Sequence, residues 1–366
     1  MKSSTFLSLY EKLEKLVHRL PESLQGPILR EITPIKTLFL LQRPPRLVLL
    51  GQSGVGKVEL VNAIFGAEAL LPGEENLSDG SWQEVRRAGR GTLRLLDSRR
   101  PASLNMLRAA LSKEPPDLFL FARESLASGE DLAGDLDHAE EILAFADQQH
   151  RSKSRLLGVL LPTGRISSDA ERSRQDLHAA LHARQPISDR MVGTLAMATA
   201  GEIERLAELI AIELPGEAQL EMARLSGNVA LQKQIASVVI KSVTAICAAI
   251  GTQPIPLADF PILMSLQASM VTGIMHISGR EISPKLAAEF TAALGANLGV
   301  GLVLREGARA AAKFVPIWGN AVSGAVAGAG TYAMGRAATA YFIEGMSLKD
   351  ARSIFRRRKQ PPLLKE

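Results

Sequence analysis

Cysteine occurs once in the chain, at Cys247. A single thiol excludes an internal disulfide and any cluster of cysteine ligands for zinc. That scarcity suits a reducing, cytosolic setting. Aromatic residues are also few, at 4%. So thin a supply gives no base-stacking surface, and nucleic acid is not an expected partner. The net charge of +5 is mild and spread along much of the chain; it permits attraction to anionic lipid without requiring it. The opening stretch, MKSSTFLSLYEKLEKL, carries acidic side chains where a secretory signal needs an apolar run. The amino-terminal half is therefore expected to stay in the cytosol. What the chain does have is length, since 366 residues can build two or three cores.

Residues 1–44 show helical periodicity in FLSLYEKLEKLVHRL and again in ILREITPIKTLFLLQ, ending at Pro44 and Pro45. They read as an amphipathic helix pair that packs on the following domain. Contact with a partner or a membrane surface is the alternative. From residue 45 to 215, short apolar segments (RLVLL, TLRLL, DLFLF, RLLGVLL, GTLAMA) alternate with helical patterns (VELVNAIF, ASLNMLRAALS, LDHAEEILAFADQQ, AERSRQDLHAALHAR, EIERLAELIAIEL). Alternation of this kind predicts an α/β domain with a largely parallel sheet and helices on both faces. After Pro215 the charge thins, strand patterns vanish, and Ala, Gly, Ile and Met dominate. Residues 216–345 are expected to form an all-α domain, with a basic tail over 346–366.

The densest chemical signal is GQSGVGK, placing Gly51 and Gly56 with four residues between them and Lys57 next. Glycines let successive backbone N–H groups turn inward around a phosphate with no Cβ in the way. Lys57 adds a point charge for the β- and γ-phosphates, and the helix after it presents a positive end. The predicted phosphate cradle is Gly51, Gln52, Ser53, Gly54, Val55, Gly56, Lys57 and Val58. Position 58 departs from the pattern. A Ser or Thr hydroxyl there normally ligates Mg²⁺, and valine offers no oxygen.

RPPRLVLLGQSGVGKVELVNAIFG is similar to the start of Era-like (TRAFAC class) bacterial GTPase domains, whose loop runs GxxxxGKS into a helix of the type SLINALFG. The resemblance covers about half the chain and implies a P-loop NTPase fold that binds GTP or GDP. In that family the third strand ends in a DxxG turn. Here LRLLDSRRP supplies Asp97, which the resemblance assigns to Mg²⁺ through a water, while Arg100 stands at the glycine position. A magnesium site built this way is expected to be weak. LPGEENLSDGSWQEV holds no convincing switch-one threonine. The base-reading NKxD loop corresponds to Pro162, Thr163, Gly164 and Arg165, none of which supplies the carboxylate, and Asp169 lies too far along. The last family loop corresponds to Ala198, Thr199 and Ala200, where backbone would contact the base. If the chain turns over at all, the resemblance implies a GTPase, but no residue is seen that orients the water.

TAICAAIGTQPIPLADFPILMSLQASMVTGIMHISGREIS resembles the C-terminal domain of YcjF-type bacterial proteins, often found attached to Era-like GTPase domains. Residues 252–259 and 266–270 carry the match. Stretches 242–258, 260–279 and 314–335 lack Asp, Glu, Lys and Arg and approach the length of a membrane span. Gly324 and Gly328, and Gly295 and Gly299, recur at a spacing that lets helices approach closely, in lipid or in a tight bundle. A membrane-associating domain and a buried helical hairpin both fit. Asp259 reads as a helix cap, His276 as a core residue, and Arg305 as no more catalytic than either. Arg356, Arg357, Arg358 and Lys359 would favour the anionic cytoplasmic face of a membrane.

Together these readings predict a cytoplasmic GTP-binding protein held at the inner face of the cell membrane, with an unidentified protein partner. The alternative is a pseudo-GTPase scaffold that binds proteins without nucleotide. An ATP-hydrolysing enzyme is a third reading.

Overall fold

The computed structural model describes residues 7, 11, 14–15, 17–18, 22–53, 56–66, 80–87, 89–99, 103–124, 132–150, 153–161, 170–252, 259–281, 283–295 and 318–359. The chain forms two compact units. One is Arg43–Asn228, and the other joins Met1–Gln42 to Val229–Glu366.

In chain order the described elements begin with α1 (Glu22–Phe39), β1 (Arg46–Gly51), α2 (Lys57–Phe65), β2 (Gln83–Arg87) and β3 (Gly91–Asp97). They continue with α3 (Leu104–Lys113), β4 (Leu118–Arg123), α4 (Leu132–His150), β5 (Arg155–Leu160), α5 (Ala170–His182) and α6 (Gln185–Ser188). Next come β6 (Met191–Ala196), α7 (Ala200–Glu213), α8 (Gly216–Ser226), α9 (Val229–Gly251) and α10 (Asp259–Ile277). The last are α11 (Pro284–Gly295), α12 (Trp318–Phe342) and α13 (Leu348–Lys359).

The first unit is α/β, with a six-stranded sheet in the order β2-β3-β1-β4-β5-β6. All neighbours run parallel except β2, which pairs antiparallel with β3. The apolar runs form strands because both faces of the sheet are covered, so residues of either parity are buried. Val48, Leu50, Leu96, Phe119 and Phe121 join one core with Leu107 and Leu111 of α3, Leu136 and Leu143 of α4, and Leu177 and Leu181 of α5. Residues of opposite parity, Leu47, Leu49, Leu95 and Leu120, are equally buried. On that side α8 packs on β3, and α2, α7 and α8 pack together. Strand β2 was not anticipated. Only Val85 of its five residues is buried, and Glu84 and Arg86 project as an exposed ion pair, which suits an edge strand. At the amino ends of β1 and β4, Asp117 accepts two bonds from the Arg43 guanidinium at 2.7 Å and one from Arg46 N at 2.9 Å.

The second unit is helical among its described residues. α9 packs against α10, α12 and α1. The amphipathic stripe of α1 (Ile28, Ile32, Leu38, Phe39) thus finds its cover within the helical unit. α12 approaches α9 closely: a Cβ added at Gly328 would lie 3.2 Å from Ala248 Cβ, and one at Gly335 would lie 2.6 Å from Ile240 Cγ1. Gln267 of α10 donates to Thr331 Oγ1 of α12 at 2.9 Å. Among the described residues one helix, α9, is long and apolar enough to cross a membrane, and half of its most apolar stretch is buried inside the unit. α13 is tied down by buried Ala351 and Phe355, and by Arg352 donating to Ala293 O at 2.9 Å. His276 is buried, with Nε2 3.4 Å from Gln42 Oε1. The side chain of Asp259, and Gly299 and Arg305, lie outside the described residues.

Candidate functional site

In a doubly wound sheet the strand connections reverse direction at a switch point, leaving a crevice at the carboxyl ends of the strands. Here β1 lies between β3 and β4. β1 ends at Gly51, and the next helix, α2, begins at Lys57 with Gly56 as its cap.

Gly51 has φ 96°, and a Cβ there would stand 2.4 Å from Ala122 O. Only glycine meets both demands, because the neighbour is backbone and the φ is left-handed. Gln52 is held on three sides. Its N–H donates to Ala122 O at 3.0 Å, its Oε1 accepts from Glu124 N at 3.1 Å, and its carbonyl accepts from Arg99 Nη1 at 3.0 Å. Ser53 is half-buried. Gly54 and Val55 lie outside the described residues. Gly56, at φ 60°, caps α2 with no side-chain bond, and its carbonyl accepts from Leu60 N at 2.8 Å.

Lys57 opens α2 but is only 1% exposed, and Nζ donates to Gln83 Oε1 of β2 at 2.9 Å. Val58 beside it is buried and contributes no oxygen. Asp97 ends β3 with both carboxylate oxygens engaged by one guanidinium. Arg99 Nε lies 3.0 Å from Oδ1 and Nη2 3.1 Å from Oδ2, with Arg99 N a further 3.2 Å from Oδ1. Both side chains are almost fully buried. The residue between them, Ser98, donates through Oγ to Leu49 O at 2.5 Å, and its backbone carbonyl accepts from His138 Nε2 at 2.8 Å.

Ala198 and Thr199 also lie at the carboxyl edge, between β6 and α7, and Ala200 opens α7. Thr199 is the N-cap of α7: Oγ1 accepts from Glu202 N at 3.2 Å and donates to Glu202 Oε2 at 2.9 Å. This reciprocal cap explains why α7 starts there. Of residues 71–85, where the resemblance implies switch one, 71–79 lie outside the described residues, as do Arg100 and the stretch 162–169 that the resemblance aligns with the base-reading loop.

The structure therefore brings Gly51, Gln52, Gly56, Lys57, Val58 and Asp97 to one edge. It adds two residues that spacing did not single out, Gln83 and Arg99. Arg99 had a signal, since a strand-ending Asp followed two residues later by Arg can close a local ion pair. Gln83 had none, because β2 itself was unanticipated. No protein-family model matches this chain, and no curated protein matches it.

Proposed function

We propose that the Arg43–Asn228 unit is an Era-like P-loop domain that binds GTP or GDP at the turn between β1 and α2. In this reading the helical unit is a YcjF-like domain that associates with the inner face of the cell membrane. The observation that carries the proposal is the turn. It starts at the switch point with Gly51 pressed on a backbone carbonyl, ends with left-handed Gly56, and leads directly into Lys57 and a helix. The first-turn N–H groups of a helix have no partner within it and attract a phosphate. Hydrolysis is left out of the proposal, because Gln52 and Asp97 are both held by protein partners. For the membrane part, α9 has the required length and apolar character, and exposed Arg356 near the end of α13 supplies positive charge.

Titration of a fluorescent guanine nucleotide tests the reading. Lys57→Ala is expected to weaken binding at least about tenfold, the usual order for losing a charge-assisted phosphate contact. Unchanged affinity in the folded variant would remove Lys57 from the site. Competition by ATP as strong as by GTP would mean that the base is not read.

One observation favours a second reading, the pseudo-GTPase scaffold. Lys57 is already bonded to Gln83, so its charge is accommodated within the protein. Absence of nucleotide binding in the intact protein would select that reading.

A further inference from the structure

The Era-like resemblance implies Mg²⁺ beside the phosphates, so the donors at this edge can be tested against a divalent ion. They do not fit. A magnesium site needs oxygen ligands in near-octahedral array. Val58 presents methyl groups where the hydroxyl would be. Asp97, the only other residue the resemblance assigns to the ion, has each carboxylate oxygen within 3.1 Å of an Arg99 nitrogen. A carboxylate already paired with a buried guanidinium has little negative charge left to offer. A divalent cation brought to it would also stand against that guanidinium and be repelled.

The same side chain reaches the phosphate turn. Arg99 Nη1 donates to Gln52 O at 3.0 Å, so the guanidinium spans from the end of β3 to the first residue after β1. Its plane is fixed by Nε and Nη2 on Asp97, and it is buried. The planar guanidinium of arginine, with its fork of N–H donors, suits phosphate oxygens. Both departures from the family pattern thus point the same way. The hydroxyl that would hold the ion is replaced by a hydrocarbon, and the carboxylate that would hold it is closed by a fixed organic cation.

We infer that this site takes nucleoside polyphosphate without a metal ion, with the Arg99 guanidinium, locked by Asp97 and Gln52, in place of magnesium. The inference rests on the nucleotide-binding reading above and states which form of the ligand the site accepts. It also accounts for burying a charge pair at a strand tip. Asp97 is retained to orient Arg99 rather than to ligate an ion.

The test is calorimetric titration of the full chain with GTP, once in millimolar magnesium and once in excess EDTA. Affinity in EDTA should stay within about threefold of that in magnesium. A loss of about tenfold or more on chelation, with binding intact in magnesium, would overturn the inference and leave nucleotide binding standing. Absence of heat in both conditions would overturn both. Variants give an independent check. Arg99→Ala with Val58→Thr supplies a hydroxyl and uncovers Asp97, so this pair should bind about tenfold or more tightly in magnesium than in EDTA. Val58→Thr alone, with Arg99 in place, should stay metal-indifferent. Magnesium dependence in that single variant would show that Arg99 does not block the ion.

Discussion

At the scale of single residues, two glycines frame the turn and differ in how they tolerate a side chain. A methyl at Gly51 would strike the backbone oxygen of Ala122, which belongs to the central strand β4 and cannot step aside. A methyl at Gly56 would meet Cδ1 of Leu161, the end of a side chain that can rotate. Both positions have positive φ. We therefore expect Gly51→Ala to cost about 2–3 kcal/mol and Gly56→Ala about 1–2 kcal/mol, the left-handed backbone alone setting the smaller figure. Urea unfolding of the two variants checks the order, and a larger loss at Gly56 would contradict it. That Gly51 and Gly56 bracket a turn from strand to helix was readable, because their spacing falls between an apolar run and a helical period. The clasp of Arg99 on Asp97 was not, because it depends on where β3 ends. A sequence shows that Asp and Arg are two residues apart. It does not show that the strand ends there and lets one guanidinium fold back over both oxygens.

At the scale of elements, the five parallel strands and the five principal helices of the sheet unit were legible, because burial on both faces demands continuous apolar runs and amphipathic helices between them. β2 escaped because an edge strand with one solvated face needs only one buried side chain, Val85. α6 escaped because a single turn (Gln185–Ser188) is too short to show a period. One helix carries a pH response. On α5, Glu171 accepts bonds from Arg174 and Gln175, and those partners hold its carboxyl at about 2, below the usual 4.5. A carboxyl depressed in the folded state lends stability that is fully present above pH 4.5 and is lost as pH falls towards 2. His178 lies two turns along with Nδ1 3.2 Å from Thr194 Oγ1 of β6. Burial, and then the neighbouring His182 and Arg174, hold its pKa below the usual 6.5. Protonation of such a histidine favours the unfolded chain, so its contribution also fades on acidification below 6.5. Both shifts act in the same direction. Hydrogen exchange along a descending pH series should show α5 amides losing protection before those of β1 and β4. Simultaneous loss in all three would place the acid response elsewhere, and Glu171→Gln should remove the step below pH 4.5.

At the scale of the whole molecule, the helical unit is discontinuous in sequence, with its two parts flanking the entire sheet unit. The charge-free stretches read as either spans or a buried hairpin fall largely on α9, α10 and α12, three helices packed on one another. Gly328, one of the four glycines singled out in the sequence, and Gly335, which was not, lie where α12 meets α9. Apolar length alone does not separate a bundle core from a span, because both exclude water by the same means; this part of the sequence was therefore ambiguous. If the helical unit associates with membranes as proposed, flotation with anionic vesicles should carry the full chain upward, and neutral vesicles should carry less. High salt would weaken a surface attachment through Arg356 and its basic neighbours far more than an inserted one. Equal failure with both vesicle types would remove the membrane from the proposal.

Gln52, just after β1, is tied to the tips of two neighbouring strands, to Ala122 and Glu124 at the end of β4 and to Arg99 at the end of β3. The first hinge point of the turn is accordingly set while the sheet assembles, before any visitor arrives. Ordering that part of the backbone is settled during folding, so capture loses less freedom than it would with a slack loop. The arrangement resembles a latch whose keeper is machined into the frame.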